Sequence, residues 1–219
     1  MKALVAGATG GTGSRIVKEL VDRNISVRAL VRDEKTAKEL LPPEAELVFG
    51  DVLQPETLEK AIEGCDVLLS ATGARPSFNP TGPLMVDYVG TKNLINVAKA
   101  KGINQFVMVS SMCVSKFFHP LNLFWLVLYW KKQAEGYVQQ SGVPYTIVRP
   151  GGLRNDEKPG GLVMEPADTM FEGSIPRTKV AQVCVEALFQ AEAKNKIVEV
   201  ITKEEVEDVA IQEQFASIS

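Results

Sequence analysis

Cysteine, histidine and surplus positive charge are all scarce in this sequence, and each scarcity closes a class of explanation. The three cysteines, Cys65, Cys113 and Cys184, lie far apart without CxxC spacing. Neither a disulfide framework nor a zinc site is suggested, and reduced thiols in a reducing compartment are the simplest reading. A formal net charge of -3 gives no electrostatic reason to expect a nucleic-acid partner, which would call for a basic face. Long apolar runs are missing too. Phe117 to Trp130 is almost continuously apolar but contains His119, Pro120 and Asn122 and is too short to cross a bilayer as a helix. The apolar run after Met1-Lys2 reaches glycine within a few residues, too soon for the core of a secretion signal, so a cytoplasmic location is expected. No internal repeat, low-complexity segment or linker divides the chain, which is read as one domain over residues 1–219.

What is present is an ordinary globular composition, 45% hydrophobic and 23% charged, able to bury a sizeable core. Short apolar runs alternate with stretches of helical period, the pattern of stacked βαβ units. Strands are expected near Lys2–Ala6, Ser26–Val31, Glu46–Phe49, Val67–Ala71, Gln105–Ser110, Tyr145–Val148 and Ile197–Ile201. Helices are expected over Thr12–Asp22, Pro55–Ile62, Pro83–Lys101, Leu126–Gln140 and Thr178–Ala191, several opened by Pro or closed near Gly. The fold class is therefore α/β, a Rossmann-type doubly wound parallel sheet of about seven strands with helices on both faces. Two irregular regions, 75–81 and 154–175, follow strand carboxyl ends and are expected to cover a substrate. After Thr202, with Glu205 three residues on as a capping box, a short terminal helix is expected.

Gly7, Gly10 and Gly13 form a GxxGxxG loop between the first strand and the first helix. At that place glycine permits a tight turn, close approach to a diphosphate and close helix packing, while the helix N-terminus offers free N–H groups. The loop Gly7, Thr9, Gly10, Gly11, Thr12 and Gly13 is the candidate dinucleotide cradle. Arg32 stands first past the second strand, where an arginine suits an adenosine 2′-phosphate, and Asp33 follows it; NADP(H) is the favoured cofactor. Asp51 and Val52 after the third strand are placed for the adenine edge, although Asp51 is equally placed to cap the helix at Pro55.

These segments, together with Asp87-Tyr88-Val89-Gly90-Thr91-Lys92-Asn93, Ser110-Ser111-Met112, Lys131–Glu135 and Ser141–Pro150, resemble the atypical short-chain dehydrogenase/reductases over nearly the whole chain. The sequence is most similar to the NmrA-like NAD(P)-binding proteins of cyanobacteria and chloroplasts, and more distantly to NADPH-dependent flavin/biliverdin-IXβ reductases. The resemblance adds the plastid stroma as a location. It implies that Ala71, Thr72 and Gly73 approach the cofactor's phosphate and ribose, and that Ser110 and Ser111 approach its nicotinamide. In this superfamily a Tyr-x-x-x-Lys pair transfers a proton. Lys131 matches the lysine, but Val127 stands at the tyrosine position, and Tyr129 points roughly 200° round the helix from Val127.

That loss disfavours alcohol dehydrogenation and sugar epimerisation and leaves a hydride transfer needing little acid/base help, such as reduction of a planar acceptor, above all a flavin taken as substrate. Ser110, Ser111 and Lys131 are then the candidate catalytic residues. Met112, His119, Phe124, Trp125, Arg149 and Pro150 are the candidate acceptor contacts, with no metal. Several of these keep a second reading. The aromatic stretch Phe117–Trp125 is a cleft wall, a core or helix contact, or a surface for a peripheral membrane or protein partner. His119 is a proton donor or a surface residue, Lys131 a ribose contact or a solvated lysine, and Arg149 an anion contact or the partner of a loop carboxylate, with Arg75 and Arg154 weaker candidates. The competing function is an NmrA-like redox sensor or scaffold that binds NADP(H) without turnover.

Overall fold

The computed structural model describes residues 1–74, 78–158 and 160–218. Its strands are β1 (Lys2–Ala6), β2 (Ser26–Val31), β3 (Glu46–Phe49), β4 (Val67–Ser70), β5 (Gln105–Val109), β6 (Tyr145–Pro150), β7 (Gly152–Arg154), β8 (Gly161–Pro166), β9 (Ser174–Pro176) and β10 (Lys196–Lys203). All ten join one sheet with the order β3-β2-β1-β4-β5-β6-β10-β9-β7, while β8 pairs with β10. From β3 to β10 the neighbours are parallel, the doubly wound arrangement in which the order reverses beside β1. The α-helices are α1 (Gly11–Asp22), α2 (Glu34–Leu40), α3 (Pro55–Ile62), α4 (Gly90–Ala100), α5 (Val127–Gln139), α6 (Arg177–Glu186) and α7 (Ile211–Ser217).

Alternation along the strands divides the core in two. Ala3, Val5, Val67, Leu69, Val107 and Val148 face α1, α6 and α7. Leu4, Ala6, Leu68, Phe106, Met108 and Ile147 face α3, α4 and α5. Helix positions at three- and four-residue spacing complete each layer: Ile16, Val17 and Leu20 on α1, and Leu94, Ile95 and Ala98 on α4.

The structure departs from the sequence expectations in four places. Residues 154–175 are not wholly irregular: β8 runs antiparallel to β10 from Gly161↔Lys203 to Pro166↔Val198, and β9 meets β10 at Thr202. The helix expected over Pro83–Lys101 opens as a π-helical segment, Pro83–Val89, before α4 begins at Gly90. Helix α2 carried no amphipathic signal because only Ala37 is buried in it, and Asp33 caps it by accepting from Thr36 N–H at 2.7 Å. The terminal helix starts at Ile211 rather than after Thr202. In the region 75–81, Arg75 and its two successors lie outside the described residues.

Candidate functional site

The carboxyl ends of β1 to β4 enclose a cleft of about 340 Å³. Its floor is the glycine loop, with Gly7, Thr9 and Gly10 at the surface. Steric fit explains these glycines. Gly7 has φ +76, and a Cβ there would lie 2.6 Å from the Ala71 carbonyl oxygen; one on Gly13 would lie 2.1 Å from the Gly7 carbonyl oxygen. The turn closes through Gly10 N–H donating to Gly7 O at 2.9 Å, and the hydrogen bonds of α1 begin at Ser14 N–H to Gly10 O. The amides of Gly11, Thr12 and Gly13 are thus left at an uncapped helix N-terminus, where they favour an anion. A cradle that a single methyl group would fill is what a bound diphosphate needs.

Leu30 and Arg32 from the end of β2, and Gly50, Asp51, Val52 and Leu53 after β3, form the next wall. Arg32 is 71% exposed, with Nη1 at 4.0 Å from Asp51 Oδ2, so its guanidinium is loosely tethered at the cleft margin. Asp51 does not cap α3: its Oδ1 accepts from Leu53 N–H, and the residue before the helix is Gln54. Ala71, Thr72, Gly73 and Ala74 after β4 form the opposite wall, with Gly82 and Val86. The nine positions Gly7, Thr9, Gly10, Arg32, Asp51, Val52, Ala71, Thr72 and Gly73 therefore meet at one cleft, while Thr12 and Gly13 are buried beneath it.

Lys131 reaches this end of the cleft from α5. Its Nζ lies 2.7 Å from Asp87 Oδ1, with the carboxylate 1% exposed, and a Cβ on Gly73 would be 3.9 Å from the ammonium. Among the described residues no hydrogen bond is made to Oδ1, which the Lys131 ammonium pairs by charge; Oδ2 accepts from Ala74 N–H at 3.1 Å. Asp87 was overlooked in the sequence. The signal was a carboxylate within an apolar helical stretch, four residues before Thr91, whose hydroxyl donates to the Asp87 carbonyl. Tyr129 packs against Phe117 and Trp130 rather than replacing the missing acid.

Ser110 is turned inward. Its hydroxyl donates to Glu135 Oε1 at 2.6 Å, within a buried ionic cluster that also removes Arg149 from the acceptor contacts. Arg149, Glu135 and Glu199 are each 0% exposed. Arg149 donates from Nε and Nη2 to both oxygens of Glu135 and from Nη1 to Asp168 and Glu199. Burial pulls its pKa down, but Glu135 and Asp168 outweigh that and raise it, so the group stays cationic.

Of the other candidate acceptor contacts, Met112 and Pro150 are removed by burial. Met112 is buried against Val114 and Leu128, and Pro150 is buried with its carbonyl accepting from Met112 N–H. His119 Nδ1 accepts from Leu121 N–H and caps a 3-10 turn. Phe124 and Trp125 are 62% and 43% exposed and lie outside the lining of the dinucleotide cleft, so the aromatic stretch is not core. Ser111 is half-buried just past β5, also outside that lining. Cys184 is fully buried, which pushes its thiol up to about 12 and makes it inert.

The NAD(P)H-binding family matches residues 7–191, from the first glycine of the loop to just past α6. The chain belongs to the NAD(P)H-binding family. Within it the resemblance to NmrA-like, atypical short-chain dehydrogenase/reductases holds. It is 44% identical to an uncharacterised chloroplastic protein of Arabidopsis thaliana, covering 99% of this chain and 82% of that one. It is 36% identical to the sanguinarine reductase of Eschscholzia californica, over 94% of this chain and 90% of that one. A solved structure of a candidate NAD-dependent epimerase/dehydratase from Bacillus halodurans superposes with a TM-score of 0.87 at 28% identity, over 99% of both chains.

Proposed function

We propose that this NAD(P)H-binding protein is an NADPH-dependent reductase that passes hydride to a planar acceptor, with a flavin as the first candidate. The observation that carries the reading is the lopsided chemistry of the cleft: a complete dinucleotide cradle with Arg32 at its margin, and Val127 in place of the proton-transferring tyrosine. Bound reduced nicotinamide supplies the hydride. An acceptor whose ring nitrogens can take their proton from water asks of the protein only alignment and exclusion of solvent. The glycine loop and the 71–74 wall serve the first need, and Lys131, held by Asp87 beside Gly73, is the candidate contact for the nicotinamide ribose. The sanguinarine reductase among the relatives supports reduction as the reaction, and the chloroplastic relative supports the plastid stroma as the location. The test is NADPH oxidation with and without FMN, FAD, riboflavin or quinones, with NADH in parallel. Acceptor-dependent turnover preferring NADPH is expected, and none with any flavin or quinone rejects the reading.

The sensor or scaffold reading is favoured by one observation. Phe118 and Leu123 are 96% and 84% exposed on the segment between β5 and α5, an apolar surface that the cleft does not use. Tight NADPH binding without turnover, together with a partner held in only one cofactor redox state, would shift the conclusion to it.

A further inference from the structure

Helices α1 and α6 pack together on one face of the sheet. Their first residues, Gly11 and Arg177, meet there: a Cβ built on Gly11 would lie 3.0 Å from Arg177 Nε and 3.1 Å from its Cδ. The arginine side chain therefore crosses the first turn of α1, in the space that any side chain at position 11 would need. Its far end is held from the segment after β6, where Nη1 donates to Asn155 Oδ1 at 2.9 Å and to the Leu153 carbonyl at 3.4 Å. The carboxylate close by in sequence, Glu157, is engaged by the Thr178 hydroxyl at 2.6 Å. Among the described residues Arg177 forms no ion pair, and Nε and Nη2 have no acceptor. An arginine held in place and left without a counter-charge, beside three unpartnered helix amides, is a group prepared for an anion.

We propose that Arg177 binds the diphosphate of the nicotinamide dinucleotide, working with the amides of Gly11, Thr12 and Gly13. The two arginines then divide the cofactor. Arg32 reads the 2′-phosphate that only NADP(H) carries, and Arg177 holds the diphosphate common to both dinucleotides. Gly11 is small because Arg177 lies over it, and the contacts from Asn155 and Leu153 keep the fork from swinging into solvent. The inference goes beyond the reductase reading, because binding rather than turnover decides it.

The experiment compares the full chain with Arg177→Met, which keeps the stem over Gly11 but removes the charge, and with Arg177→Lys. Affinities for NADPH, NADH and 2′-AMP, which lacks a diphosphate, are measured by titration calorimetry, after a melting curve has shown each variant folded. Arg177→Met should weaken NADPH and NADH by the same factor, about tenfold, and leave 2′-AMP within about twofold, with Arg177→Lys in between. Dinucleotide affinity unchanged in Arg177→Met, or 2′-AMP weakened as much as NADPH, overturns the proposal. A wild-type chain that binds neither dinucleotide also overturns it. A chain that binds both but reduces no acceptor removes only the reductase reading.

Discussion

The two ends of the sheet's carboxyl edge are built on opposite principles. Around β1 the site is made by missing side chains: Gly7, Gly10 and Gly13 allow the tight turn, and the amides of Gly11, Thr12 and Gly13 are left at the uncapped start of α1. Around β5, β6 and β10 it is crowded with charge, yet Arg149, Glu135 and Glu199 satisfy one another and face nothing outside. The difference teaches that charge is a poor guide to binding once it is buried: paired ions fix neighbouring elements, whereas an open backbone invites a ligand. Here the cluster joins β5, α5, β6 and β10 to the segment containing Thr169 and Met170, whose amides donate to Glu199.

The largest expected effect breaks the glycine end. In Gly13→Ala the new methyl group would sit 2.1 Å from the Gly7 carbonyl oxygen and 2.8 Å from its carbon. Both are backbone atoms of the turn that would hold the diphosphate, so relief requires the turn itself to move. NADPH affinity should fall at least about a hundredfold, measured by quenching of protein fluorescence. Near-normal affinity would mean that the cradle tolerates reshaping and that the steric account is wrong.

The other end should respond in stability rather than affinity. Arg149→Met leaves Glu135 and Glu199 buried without their cation, and breaking a buried pair in this way typically costs about 3–5 kcal/mol. Urea unfolding should show that loss while the remaining folded fraction binds NADPH normally. A variant of ordinary stability that fails only with the acceptor would restore Arg149 as a substrate contact.

How much of each end was legible follows from the same contrast. The glycine loop could be read because backbone sterics are local: a tight turn between strand and helix leaves its mark in consecutive residues. Arg32 followed from its place at the end of the second strand, whereas the 71–73 wall was implied only by the family resemblance. Of the two readings of Arg149, pairing with a loop carboxylate is the one that Asp168 after β8 bears out, but its partners from α5 and β10 form a juxtaposition no local pattern announces. Strand β8 escaped notice for a related reason. Its pairing with β10 joins residues far apart in sequence, and Pro and Gly around it signal a loop. Phe117–Trp125 was ambiguous because apolar composition does not tell a wall from a surface. Asn122, in the midst of it, caps α5 by accepting from the amides of Leu128 and Tyr129.

A smaller effect sharpens the cofactor half. Arg32→Ala should weaken NADPH about tenfold or more and NADH by less than about twofold, because only NADPH offers the 2′-phosphate. Equal losses would take Arg32 out of the site and leave the preference for NADPH to another group.

The smallest effect lies at the exposed rim of the ionic cluster. Asp168 pairs with Arg149 Nη1 at 2.8 Å while its side chain remains 44% exposed. Partial burial pushes its pKa up, but the Ser115 hydroxyl and the Arg149 guanidinium outweigh this and hold it below the ordinary 3.8. A carboxylate lowered on folding contributes stability that is complete above its unfolded value and is lost as pH falls through the lower folded value. The wild-type chain should therefore lose stability on acidification below about pH 4, and Asp168→Asn should remove that part of the slope. Asparagine tolerates the backbone here, φ +65, so the comparison isolates the charge. Solvent screening keeps the difference modest, and it is read from urea midpoints across the acid range. Parallel pH profiles for the two proteins would show that the rim of the cluster, unlike its buried centre, contributes no charge-dependent stability.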